Sequence, residues 1–280
     1  MTRAETIGLI LAGGRGQRMG GRDKAFLPLA GSDLVQRAIA RLSPQCERVI
    51  INANRELERL AELDLPVISD SVAGYAGPLA GILAGLDWLA DHAPDAALLT
   101  VPVDGPFFPS DLCAKLQAAA KAKGALIACA QSGGRRHGVY GLFSAALRND
   151  LHRALTVDGV RKVDDWLARH DVAMVDWPTE PIDPFFNVNT SDDLAFAERH
   201  LCAAGKRMDI TLDLRGLKCP LPALRTRKAL AQLKAGDVAT IECTDPLAAI
   251  DIPHLIAQCG DELEEQSRQD EVLVFRIRKR

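Results

Sequence analysis

Apolar and polar positions alternate along this chain in two unlike ways. Over residues 1–203, short apolar runs take turns with stretches of helical spacing. Thr6–Leu11 is an apolar run leading into glycines, which predicts a buried strand. Leu34–Leu42 carries its apolar residues at helical intervals, Arg48–Ala53 and Pro66–Asp70 read as strands, Pro78–His92 as an amphipathic helix and Ala96–Val103 as a buried strand. Ser110 is placed to cap the next helix and Gly124 to end it. Ala125–Ala130 predicts a further strand and Ser191–Leu201 a late helix. Such alternation predicts an α/β fold: a Rossmann-like, mostly parallel sheet with helices on both faces. The pattern breaks at Cys202–Met208, CAAGKRM, which is small, polar, basic and without period, and reads as a linker. Beyond it come a strand near Asp209–Asp213, a helix over Pro220–Leu233, a strand near Val238–Thr244, a helix near Ile252–Gln258 and two closing strands. These predict a small two-layer α/β sandwich, so the expected domains are residues 1–203 and 208–280.

Composition narrows the classes. With 280 residues, 48% hydrophobic and 25% charged, the chain can bury a substantial core. A net charge of -3 gives no global argument for a nucleic-acid or membrane partner. No apolar run approaches the roughly 18 residues of a membrane span, and IGLILA is too short for a signal-peptide core. Seven cysteines without a CxxC pair fit reduced thiols and a cytoplasmic location. His254 and Cys259 stand close in sequence, but a structural zinc takes four spaced ligands.

Candidate chemistry begins at LAGGRGQRMGGRDK, from Leu11 to Lys24. It is not a GxxxxGK[ST] loop, and Gly14-x-Gly16 is followed by Met19 where a dinucleotide fingerprint needs its third glycine. The physics of an anion site survives both failures. Glycines let backbone N–H groups approach an anion, and Arg18 and Lys24 suit phosphate oxygens. Asp70 closes one predicted strand in VISD and Asp104 another in TVPVDGP. In an open α/β sheet all three features would face the crevice at the carboxyl ends of the strands. Carboxylates beside a triphosphate most naturally hold Mg²⁺. The plainer alternatives are a solvated basic loop and aspartates that merely cap turns.

LAGGRGQRMGGRDK, VIINANR, VISDS, GPLAGI, VPVDGP and FFNVNTSDDL stand in an order and spacing that closely resembles the molybdenum cofactor guanylyltransferases, over residues 5–200. The resemblance implies transfer of GMP from GTP to the terminal phosphate of molybdenum-bound molybdopterin, with Mg²⁺ as cofactor. Pyrophosphate leaves and the guanine dinucleotide cofactor forms. Carried over by motif, Leu11, Ala12 and Gly13 border the nucleotide and Gly14 completes the turn. Lys24 contacts phosphates, Asn52 and Asp70 complete the nucleotide pocket, and Asp104 binds Mg²⁺. Asn187 and Asn189 lie on the molybdopterin side. Arg18, Lys24 and Asp104 are the expected catalytic set, with no general base because the attacking phosphate is already ionised. HGVYGL at His137–Leu142 departs from the many relatives that have a proline soon after the histidine. LAGG together with GPLAG points to guanine; cytidylyltransferases for the same cofactor usually carry LAAG-type loops, and sugar-phosphate nucleotidylyltransferases a PK dipeptide after a longer spacer. Those two remain alternatives, as does a sulfur-relay or cofactor-binding scaffold with an inactive nucleotide-binding domain.

LDLRGLKCPLPALRTRKAL, Leu212–Leu230, carries a different chemistry. Pro220 is expected at the first helical position, which puts the Cys219 thiol at a helix N-terminus. That end, with Lys218 and Arg215, would favour thiolate. The stretch resembles the TusA/SirA sulfur carriers with their CPxP motif, over Asp209–Arg278. By that likeness Cys219 accepts a sulfane sulfur as persulfide, while Cys243 and Cys259, outside the motif, are structural. The implied partners are a sulfurtransferase or cysteine desulfurase, molybdenum insertion proteins and molybdoenzymes.

Overall fold

In the computed structural model, which describes residues 5–13, 23–72, 77–205 and 209–280, the run TIGLIL forms β1 (Thr6–Leu11). Its residues are buried up to Leu11, as a central strand covered on both faces must be. A 3-10 turn at Lys24–Phe26 leads into the hairpin β2 (Pro28–Leu29) and β3 (Ser32–Asp33). Then follow α1 (Leu34–Leu42), β4 (Arg48–Asn52), α2 (Leu57–Ala61), β5 (Val67–Ile68), α3 (Pro78–His92) and β6 (Ala97–Pro102). After these come α4 (Leu112–Lys123), β7 (Ile127–Ser132), β8 (Arg135–Ser144), α5 (Arg148–Thr156), α6 (Val163–Leu167), β9 (Val172–Trp177) and α7 (Ser191–Gly205).

The large sheet has seven strands in the order β5-β4-β1-β6-β8-β7-β9. Every pairing is parallel except those of β8, which runs against both β6 and β7. The expected α/β class and mostly parallel sheet are therefore observed. The core between sheet and helices holds Leu9, Ile50, Ile82, Leu83, Leu98 and Phe143, all fully buried. Each such side chain contributes about 1.5–3 kcal/mol by leaving water.

Several expectations need correction. The strand expected over Pro66–Asp70 shrinks to Val67–Ile68, which leaves Ser69 and Asp70 beyond its end. Ser110 is not the cap of α4; Asp111 holds that position, its carboxylate taken by Lys115 and the Trp177 indole. The linker expected over Cys202–Met208 is helical as far as Gly205, in keeping with the helix preference of its two alanines. Residues 206–208 lie outside the described residues. The β7–β8 hairpin was not foreseen. Gly133 and Gly134 form its two-residue turn with φ of 53° and 75°, a conformation glycine adopts freely.

Contacts group the chain into two units, Met1–Arg199 and His200–Arg280. The second contains β10 (Asp209–Asp213), α8 (Leu221–Leu230), β11 (Val238–Cys243), α9 (Ala248–Cys259), β12 (Glu262–Gln269) and β13 (Val272–Arg278). Its four-stranded sheet runs β10-β11-β13-β12, with only β10 and β11 parallel. Buried residues alternate along β13, so one sheet face carries the core. Ile241, Phe275 and Ile277 meet Leu230, Ile252 and Ile256 from the helices there.

Candidate active site

Because β1, β4, β5 and β6 are parallel, their carboxyl ends open on one edge of the sheet. A cleft of about 860 Å³ lies along that edge. It is lined by Leu11, Ala12 and Gly13 after β1, Asn52 at the end of β4, Asp70 after β5 and Asp104 after β6. Asn187 lines it as well. Gly14 and Arg18, within residues 14–22, lie outside the described residues.

At the β4–β5 end, Asp70 is gripped by amides. Asn52 Nδ2 donates to its Oδ1 at 3.0 Å and Asn54 Nδ2 to its Oδ2 at 2.8 Å, while the Asp70 N–H donates to Asn54 Oδ1 at 3.0 Å. Asn52 is buried, Asp70 half-buried and Asn54 exposed. Each carboxylate oxygen of Asp70 keeps a lone pair for a further donor.

Further along, Lys24 Nζ donates to Asp104 Oδ2 at 2.8 Å and to Asn189 Oδ1 at 2.7 Å. Lys24 stands on the 3-10 turn that Asp23 caps by accepting from the Ala25 N–H at 2.9 Å. Burial pushes the Asp23 carboxyl above its ordinary range. The segment carrying Asn187 and Asn189 is fastened to β6, since the Val188 N–H donates to the Asp104 carbonyl at 2.8 Å. It is also fastened to α7, where Asp193 accepts from the Asn189 and Thr190 N–H groups at 2.9 Å each. Asn187 Oδ1 accepts from the buried Tyr140 hydroxyl at 3.2 Å. Desolvation, then the nearby Asp104 and Asp183 charges, hold that phenol well above its ordinary pKa. Gly105 is required beneath it, because a Cβ there would collide with the Tyr140 hydroxyl and meet its Cζ at 2.8 Å. Both asparagines thus spend their side-chain oxygens on Lys24 and Tyr140, a positioning use that the sequence did not reveal.

The far wall is β8. Its ladder with β7 jumps from Cys129↔Gly141 to Ala130↔His137, so residues 138–140 bulge out and carry Tyr140 toward the cleft. Arg135, Arg136 and His137 line this wall. Ser132 Oγ donates to Asp183 Oδ1 at 2.9 Å and therefore accepts from His137 Nε2 at 2.8 Å. Burial lowers the His137 pKa, with Arg135 acting in the same sense and Asp183 against it. Asn54, Arg55, Asp23, Arg135, Arg136 and Tyr140 all line the cleft without having been singled out. Asn54 had a signal, standing one alternation beyond Asn52 in INAN, and GGRR marked a turn that delivers two arginines.

In the second unit Cys219 is exposed. It stands before the helix rather than within it: Pro220 is the N-cap of α8, Leu221 the first helical residue, and Pro222 the early helical proline. The expected cationic field is reversed. The Cys219 N–H donates to Asp245 Oδ2 at 2.6 Å, and Asp251 accepts a hydrogen bond from the thiol. That hydrogen bond, then burial and the two carboxylate charges, push the thiol above its ordinary pKa. Arg215 is occupied by Asp213, with bonds of 2.8 and 2.7 Å, so it does not serve the thiol. Cys243 is buried in the core, which raises its thiol to about 11, whereas Cys259 is exposed at the end of α9. Among the described residues no group of three or more His, Cys, Asp and Glu side chains gathers as a metal site, and no helix is long and apolar enough to cross a membrane.

Comparison with known proteins follows this division. Residues 8–173 match the MobA-like NTP transferase domain, and residues 210–279 match sulfurtransferase TusA. Molybdenum cofactor guanylyltransferases from Rhodopseudomonas palustris strain BisB5 and Bradyrhizobium sp. strain ORS 278 are both 52% identical to this chain. The first aligns over 69% of this chain and 93% of its own length, the second over 71% and 94%. Among solved structures, molybdopterin-guanine dinucleotide biosynthesis protein A from Archaeoglobus fulgidus superposes with a TM-score of 0.57 at 24% identity, covering 71% of this chain and 99% of that one. A 4-diphosphocytidyl-2C-methyl-D-erythritol synthase from Anaerococcus prevotii superposes with a TM-score of 0.56 at 13% identity, over 71% and 96%. At those identities the two structures bear on the fold alone.

Proposed function

The chain belongs to the MobA-like NTP transferase family, as a relative of the molybdenum cofactor guanylyltransferases with a TusA domain behind it, and from that premise we propose how it works. Its first unit transfers GMP from GTP to the terminal phosphate of molybdenum-bound molybdopterin. The observation that carries this reading is the Lys24–Asp104 pair at the centre of the cleft, 2.8 Å apart. It joins the cation needed for phosphates to the carboxylate needed for a divalent ion.

The cleft's charge suits the two substrates at opposite ends. A carboxylate repels phosphates and attracts donors, so Asp70 favours a base at the β4–β5 end. Guanine offers it both N1–H and the N2 amine, whereas cytosine offers a single amine. That supports GTP over CTP. Leu11, Ala12 and Gly13 border the same end, and Lys24 faces the phosphates. Asn187 and Asn189 hold the wall between nucleotide and pterin.

The donor set fits Mg²⁺, since that ion is commonly held by one or two carboxylates with substrate phosphates and water completing the shell. Asp104 would hold it, and when bound it would supply charge neutralisation on the phosphate oxygens. Lys24 does the same from the protein side, kept in place by Asn189. The acceptor phosphate oxygen forms a bond to the α-phosphorus as the bond to the β-phosphate oxygen breaks. Pyrophosphate leaves with that electron pair, and no side chain has to take a proton.

In the second unit Cys219 accepts sulfane sulfur. Its thiolate attacks the terminal sulfur of a donor persulfide; a new S–S bond forms on Cys219, the donor's S–S bond breaks, and the donor leaves as thiolate.

The deciding experiment is single-turnover transfer from labelled GTP to molybdopterin with Mg²⁺, repeated with CTP. GMP transfer should exceed CMP transfer, and Asp104→Ala should lower it by about 10²-fold or more. Normal turnover by that variant would overturn the metal assignment.

A further inference from the structure

The geometry points to Arg135 as the residue that receives the phosphate of the acceptor, an inference that rests on the guanylyl-transfer reading. The described cations lining the cleft are Lys24, Arg55, Arg135 and Arg136. Lys24 pairs with Asp104 at 2.8 Å, Arg136 lies 3.8 Å from Asp164, and Arg55 stands in the field of Asp23. Arg135 has no carboxylate partner among the described residues, and its charge is therefore available to a ligand.

Its place in the fold matches that use. Arg135 opens β8 directly after the Gly133–Gly134 turn and pairs with Ser132 across the hairpin. Ser132 is buried and anchored to Asp183, so the guanidinium leaves a fixed base. The β8 wall lies on the opposite side of β1 and β6 from Asp70. A nucleotide whose base sits at Asp70 and whose phosphates reach Lys24 leaves the β8 end for the second substrate. That substrate ends in a phosphomonoester, which a planar guanidinium can grip with two parallel N–H donors. Next to Arg135, His137 is held neutral by burial and offers a flat ring, not a competing charge.

The test measures binding apart from turnover. The full chain is titrated with molybdopterin, with molybdopterin stripped of its phosphate, and with GTP, following pterin fluorescence or heat. Arg135→Gln should weaken molybdopterin binding by about 10-fold or more. Affinity for the dephosphorylated pterin and for GTP should stay within about twofold, and Arg135→Lys should recover part of the loss. The inference is overturned if the Gln variant binds molybdopterin like the parent chain, or loses both pterins equally. GMP transfer by the parent chain, assayed alongside, reports separately on the guanylyl-transfer reading. Loss of phosphate discrimination in a chain that transfers no GMP would uphold the subsite and sink that reading.

Discussion

Two side chains show how partners, not residue types, decide behaviour. Lys24 and Asp104 neutralise each other at 2.8 Å, with side-chain exposures of 16% and 17%. Such a pair is poised to part when phosphates and a cation offer each member a better counter-charge. Cys219 has the opposite history. Its neighbours in sequence suggest an activated thiol, while Asp251 and Asp245 in space oppose ionisation. A raised pKa means a smaller thiolate fraction at any given pH, so alkylation should be slow at pH 7.5 and rise with pH. Asp251→Asn removes the negative charge beside the thiol, lowers its pKa, and should speed alkylation at pH 7.5 by about 3–10-fold. The check is the iodoacetamide rate against pH, and coincident profiles would show that Asp251 does not act on the thiol.

At the scale of elements, the site depends on how the end of β6 is clamped. The loop after Asp104 is held by Arg41, which donates to the Phe108 carbonyl, and by Gln45, which donates to Pro109 at 3.1 Å. From the other side the β8 bulge brings Tyr140 onto Gly105 and Asn187. Gly105→Ala forces these elements apart and drags Asp104 with them. GMP transfer should fall by about 10²-fold, since a shift of about 1 Å in reacting geometry has that effect. The thermal midpoint should drop only by a few degrees, about what 1–3 kcal/mol of overpacking costs. Calorimetry and single-turnover kinetics on one preparation separate the two effects. A variant with wild-type turnover would show that the clamp does not set Asp104.

At the scale of the molecule, one chain carries a nucleotidyltransferase unit and a TusA unit with separate cores. A covalent tether raises the effective concentration of each near the other's partners. Cys219→Ser should abolish persulfide loading and leave GMP transfer within about twofold, because that thiol has no part in phosphoryl chemistry. Mass spectrometry after incubation with a desulfurase and cysteine reads the first, and labelled GTP the second. A matching loss of transfer would show that the chemistries depend on each other.

Local physics let the sequence by itself determine the α/β class, the bounds of β1, α1, α3 and β10, and the position of Gly13, Asp70 and Asp104 just beyond strand ends. Apolar periodicity and glycine placement act over a few residues, and residues 6–11 or 34–42 need nothing distant to explain them. Only the tertiary structure decided the antiparallel insertion of β8, whose residues Gly141, Leu142 and Phe143 pair with strands on both sides. It also decided the Asn52–Asp70–Asn54 grip, the use of Asn189 to hold Lys24 across 165 positions, and the acidic surroundings of Cys219. Hydrogen bonds and charges act through space, so residues far apart in the chain set each other's chemistry once folding has brought them within about 3 Å.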